Sequence, residues 1–111
     1  MRKAAVLAAV LILAVAFSGL AAGKGDAAKG KAVYAKRCGT CHGSEGEPKE
    51  AISKMMKVTI PHIGSKEVQA KSDDDLKKII TAGQGKMKAV TGLSDADLAD
   101  VIAFMRTLAK K

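Results

Sequence analysis

Tryptophan is absent from this 111-residue chain, and tyrosine and phenylalanine together supply only three residues. A core filled by large rings is thereby excluded. A nucleic-acid surface built on base-stacking aromatics is excluded on the same ground, although the chain is basic. No strand-length run alternates apolar with polar residues, which argues against a sheet. There are two cysteines, too few for a framework of several disulfides. No internal repeat or low-complexity linker interrupts the sequence.

The N-terminus has the layout of a secretory signal. Arg2 and Lys3 precede an uncharged apolar run from Ala4 to Phe17, and Ser18, Gly19, Leu20, Ala21 and Ala22 supply small residues near a cleavage point. The expected organisation is a cleaved signal over 1–22 followed by one domain over 23–111, with delivery to the periplasm. No cysteine follows the run, so a lipoprotein anchor is not expected. An uncut anchor is the alternative, since 4–22 is uncharged and near the minimum length for a membrane span. With the signal removed, no stable membrane insertion is expected.

About 90 residues then remain, enough for one small domain, and domains of that size often need a disulfide, a metal or a cofactor for support. Without Arg2 and Lys3 the excess of basic over acidic side chains falls from +8 to +6. Such a surface suits an acidic protein partner or an anionic membrane.

Three helices can be read from caps and periodicity, and the fold class is all-α. The first runs from an Asp26 N-cap to about Arg37, with Lys36 and Arg37 at the negative end of its dipole. A second starts at Ser72, has Asp75 as a capping partner and stops at Gly83. In the third, Ser94 caps, Asp97 answers it, and Leu98, Val101, Ile102, Met105 and Leu108 share one face before Lys110 and Lys111. A shorter turn is expected around Glu50 to Met56. The loops 43–49 and 57–71 are long for so small a domain, and such loops usually wrap something.

Cys38-Gly39-Thr40-Cys41-His42 is a C-x-x-C-H motif, the attachment signature for c-type haem. Two thiols three residues apart on a helical turn project to one side, where they can add to the two vinyl groups of one haem edge. The adjacent His42 is then brought beneath the iron as a proximal ligand. A thioredoxin-like redox pair would need a βαβ context, which is missing. A zinc site would have to recruit Cys38, Cys41, His42 and His62, and His42 is badly placed to share a tetrahedron with Cys41. A simple disulfide is the remaining alternative.

From Gly25 to its end the chain resembles a small class I cytochrome c. Gly30 and Tyr34 match the family's small residue and aromatic before the first cysteine, and Val101 and Phe104 match positions of its last helix. Pro61-His62-Ile63-Gly64 is similar to the loop that runs beside the haem. The resemblance implies three main helices and long loops around one covalent haem c, one-electron transfer between redox partners, and no enzymatic turnover. It also places a distal methionine ligand shortly before the last helix. Met87 fills that place, in the polar loop Gly83-Gln84-Gly85-Lys86-Met87-Lys88, whereas Met55, Met56 and Met105 read as packing residues. The family usually follows this methionine with proline, and here Lys88 stands instead. His62 is the rival ligand, and an open sixth site would suit a gas or redox sensor. Lys36, Arg37, Lys86 and Lys88 are the expected ring of cations that would steer an acidic redox partner.

Overall fold

Asp26 opens the first helix by accepting the amide protons of Ala28 and Lys29 on its carboxylate, at 2.9 and 3.3 Å. The structure, a computed structural model, describes residues 25–110; the expected signal over 1–22 and Lys111 lie outside the described residues. Helix α1 is Ala27–Arg37, α2 is Glu50–Met56, α3 is Lys66–Gln69, α4 is Asp73–Ala82 and α5 is Asp95–Thr107. No strand occurs among the described residues, only isolated bridges between His42 and Pro48 and between Gln84 and Met87. The all-α expectation holds.

The three long helices start and stop where their caps place them. Ser94 and Asp97 form a reciprocal capping box on α5, each accepting the other's backbone N–H. Ser72 caps α4 by accepting the Asp75 N–H at 3.0 Å, and Gly83 ends that helix at φ 82°. Helix α3 lies within the stretch that the sequence presents as loop. Ser65 caps it by accepting the Val68 N–H, and four residues are too few for periodicity to reveal.

Helix α5 supplies half of the core. Leu98, Val101, Ile102, Phe104 and Met105 are buried along it, joined by Tyr34, Ile63, Val68, Leu76 and Ile80. Its main partner is α1, which crosses it closely because Gly30 has no side chain: a methyl group there would overlap the Asp100 carbonyl. Beyond the crossing, the rings of Tyr34 and Phe104 meet at 5.1 Å and a tilt of 57°, a geometry worth about 0.5–1.5 kcal/mol beyond burial. The Asp26 amide also donates to the Asp100 carboxylate at 2.8 Å, tying the start of α1 to α5. On the other side, Arg106 donates to the Asp73 carboxylate at 2.7 Å and to the Gln69 and Lys71 carbonyls at 3.0 and 2.7 Å. That guanidinium holds the α3–α4 junction against α5.

Two methionine expectations separate here. Met105 packs in the core as expected, 7% exposed. Met55 does not: it is 71% exposed, and α2 buries no residue at all. The expectation that Met55 is a packing residue is therefore corrected as far as the polypeptide's own core is concerned, because no other helix covers α2 among the described residues.

Helix α2 ends at Lys57, a non-glycine residue in the left-handed region at φ 57°, ψ 47°. The turn closes through the Val58 N–H, which donates to the Ser53 carbonyl at 3.0 Å. Left-handed backbone is costly for a residue with a Cβ and nearly free for glycine. Lys57→Gly is expected to raise stability by about 1 kcal/mol in urea unfolding; an unchanged midpoint would mean the turn relaxes at no cost.

Candidate functional site

The C-terminal end of α1 delivers the C-x-x-C-H motif. The Cys38 N–H donates to the Tyr34 carbonyl at 2.8 Å, and the His42 N–H donates to the Cys38 carbonyl at 3.0 Å. The motif therefore forms one further turn, with Cys38 and Cys41 a single turn apart. Both thiols are free and half-buried, so the disulfide alternative is not the arrangement observed. Burial pushes the Cys38 thiol up to about 11, opposed by the nearby charge of Arg37.

Backbone bonds fix His42 from both sides. The Gly43 N–H donates to the Glu47 carbonyl at 2.6 Å, the Lys49 N–H to the Cys41 carbonyl at 3.0 Å, and the Tyr34 hydroxyl to the Gly43 carbonyl at 2.6 Å. The Glu47 carboxylate closes the same loop. Its pKa is held below the usual range by the backbone amides of Glu47 and Glu45. Burial alone lowers the pKa of the His42 imidazole, which favours the neutral ring that a metal needs.

Does a haem suit these residues? His42 Nδ1 is buried and has no hydrogen-bond partner among the described residues. Such an atom costs about 1–3 kcal/mol when left unpaired, so an imidazole placed here is not serving the protein's own hydrogen bonding. The two free thiols stand one turn apart next to it. Ile52, Met55 and Met56 of α2 add apolar surface that no helix buries. These features fit a flat apolar disc carrying an iron and, along one edge, two thiol-reactive vinyl groups. No cluster of three or more Cys, His, Asp or Glu side chains suited to a metal occurs among the described residues, so the zinc alternative finds no site.

Met87 belongs to a different segment, between α4 and α5. It lies in a tight loop where Gln84 and Met87 exchange both backbone bonds, at 2.9 and 3.0 Å. The side chain is half-buried, yet it is not among the apolar groups packed on the core. His62 is differently engaged. Its Nδ1 accepts the Gly64 N–H at 2.9 Å, which leaves the ring proton on Nε2 and no lone pair there for a metal.

Three contacts escape sequence reasoning. Gln69 bridges the Ile63 and Met105 carbonyls at 2.9 and 3.1 Å. Arg37 donates to the Thr91 carbonyl at 2.8 Å, and Lys86 to the Met56 carbonyl at 2.8 Å. Two of the four cations expected to ring the site are thus tied to backbone, while Lys36 and Lys88 make no side-chain bond among the described residues.

A family model described as cytochrome c oxidase, cbb3-type, subunit III matches residues 25–105. The chain is 32% identical over 89 residues to cytochrome c-554(547) of Halothiobacillus neapolitanus, covering 76% of this chain and 98% of that protein. It is also 32% identical over 109 residues to cytochrome c6 of a Picosynechococcus strain, covering 95% of this chain and 92% of that protein. No solved structure matches significantly. With one C-x-x-C-H turn, an α1–α5 crossing built on Gly30 and this likeness over nearly its whole described length, the chain belongs to the cytochrome c family, as a small class I member with a single covalent haem c.

Proposed function

We propose that this cytochrome carries single electrons between periplasmic redox proteins, and that Cys38 and Cys41 would hold the haem covalently while His42 and Met87 would ligate its iron. The buried, unpartnered Nδ1 of His42 beside two free thiols carries this reading. Bound there, the haem would supply one-electron ferrous/ferric chemistry, and a Met/His ligand pair would favour the ferrous form and so raise the potential. The protein's part is to hold His42 neutral and rigid and to keep Met87 free of core packing. The leader-like N-terminus supports export, and no helix among the described residues is long and apolar enough to cross a membrane.

Exposed Lys36 and Lys88, with the bound but still charged Arg37 and Lys86, give an acidic partner a positive surface to approach. Turnover of a substrate forms no part of this role.

A redox-titrated absorption spectrum, taken on the wild type and two variants, tests the ligand set. The ferric wild type should show the weak far-red band of thioether ligation. Met87→Ala should lose that band and admit carbon monoxide to the ferrous iron, while His62→Ala keeps the wild-type spectrum. If His62→Ala loses the band and Met87→Ala keeps it, the assignment is wrong.

A further inference from the structure

The loop carrying Met87 is closed on itself by the Gln84–Met87 backbone pair and is held to α4 by the Val90 N–H, which donates to the Ile80 carbonyl at 2.8 Å, but glycines interrupt it before the methionine. Gly83 and Gly85 both sit at positive φ, 82° and 57°, and open space surrounds Gly85. Lys88 follows the methionine, so no ring fixes φ at that point. Yet the loop is tied on either side of Met87 to two different parts of the fold. On one side the Lys86 ammonium reaches the Met56 carbonyl at 2.8 Å, 30 residues away. Met56 is the last residue of α2, whose final carbonyls sit at the negative end of the helix dipole and lack intrahelical partners. On the other side the Arg37 guanidinium reaches the Thr91 carbonyl at 2.8 Å, 54 residues away. Arg37 is the last residue of α1, immediately before Cys38.

We propose that Arg37 and Lys86 are positioning residues that strap the Met87 loop to the ends of α1 and α2, supplying the hold that a proline at 88 would otherwise give. The inference rests on Met87 being the sixth ligand. Each strap is a charged donor on a backbone carbonyl, a type of bond stronger than its neutral counterpart. One strap comes from the helix that carries the haem attachment turn and reaches Thr91, and the other leaves the loop at Lys86 for the end of α2. Neither strap bonds to Met87 itself. Their effect is on how long the thioether stays where a ligand must be.

Competition by added imidazole for the ferric iron reads this hold directly, because imidazole binds only when Met87 has left. The titration uses the intact haem protein, normalised to haem content. Lys86→Met, which keeps the stem and removes the donor, should raise the apparent imidazole affinity about fivefold, the ratio that one net hydrogen bond supports. Arg37→Met should do the same, and the double variant should show roughly the product, since the two straps share no partner. Lys86→Arg, which can still donate, should restore the wild-type value. In a Lys88→Pro background the effect of Lys86→Met should shrink, because the ring then holds the loop.

Lys78→Met removes an exposed cation of α4 and should leave imidazole affinity unchanged. An equal rise in that variant would show that net charge, not the straps, sets the affinity. Wild-type affinity in both strap variants, with the thioether band present in all proteins, would overturn the inference while leaving Met87 as ligand. A wild type without that band, or a Met87→Ala protein binding imidazole no more tightly than wild type, would remove the ligand reading itself.

Discussion

Acid–acetone extraction of the purified protein should leave all of the colour with the polypeptide, and the Cys38→Ala/Cys41→Ala variant should release it into the organic phase. The expectation follows from the attachment turn, where both thiols are free and stand one turn apart. Either single substitution leaves one thioether and should retain the colour with a shifted spectrum. The doubly substituted chain should also lose most of its helical circular dichroism once haem is removed. Among the described residues its core is ten side chains, half of them from α5, small for a domain of this length without a cofactor. A doubly substituted protein that keeps its colour through extraction would refute covalent attachment at these positions. A haem-free chain with wild-type helix content would refute the dependence of the fold on the cofactor.

Gly30→Ala should lower the melting temperature of the haem protein by roughly 5–15 °C, as expected for a loss of about 1–2 kcal/mol in a domain of this size. Two effects oppose one another here. Alanine in place of glycine favours a helix by about 1 kcal/mol. Against that, the added methyl would overlap the Asp100 carbonyl and press on the Phe104 Cβ at 3.0 Å. A backbone carbonyl cannot rotate away as a side chain can, so α1 and α5 must separate. Separation loosens the Tyr34–Phe104 contact and the Asp26–Asp100 bond together, and overpacking of this kind costs about 1–3 kcal/mol before any propensity gain. A higher melting temperature in Gly30→Ala would mean that helix propensity wins and that the crossing has slack.

Much of this arrangement was legible because it is local. Asp26, Ser72 and Ser94 announce their helices through hydrogen bonds that span two or three residues, and the attachment motif is contiguous. The Gly30–Tyr34 and Val101–Phe104 pairs were legible through resemblance, and the structure joins them at the α1–α5 crossing. What stayed hidden was non-local or too short to show a period. Helix α3 has four residues. The bonds of Arg37 to Thr91 and Lys86 to Met56 join positions 54 and 30 residues apart, and nothing in a charged residue's neighbours says which distant carbonyl it will meet. Arg37 and Lys86 therefore read as free surface charge. Met55 misled for the opposite reason: methionine readily fills irregular gaps and so reads as a packing residue, whereas no other helix covers α2.

The α1–α5 crossing also sets a schedule. Asp26 and Asp100 are 74 residues apart in the chain, so the principal interface joins the beginning of the domain to its end. A polypeptide emerging from its N-terminus presents the Cys38–His42 turn early, while Gly30 and Tyr34 have nothing to close against until α5 follows. That interval is the emergence of about 65 further residues, from His42 to the end of α5. Through it both thiols remain open to modification before the contacts that half-bury them can form.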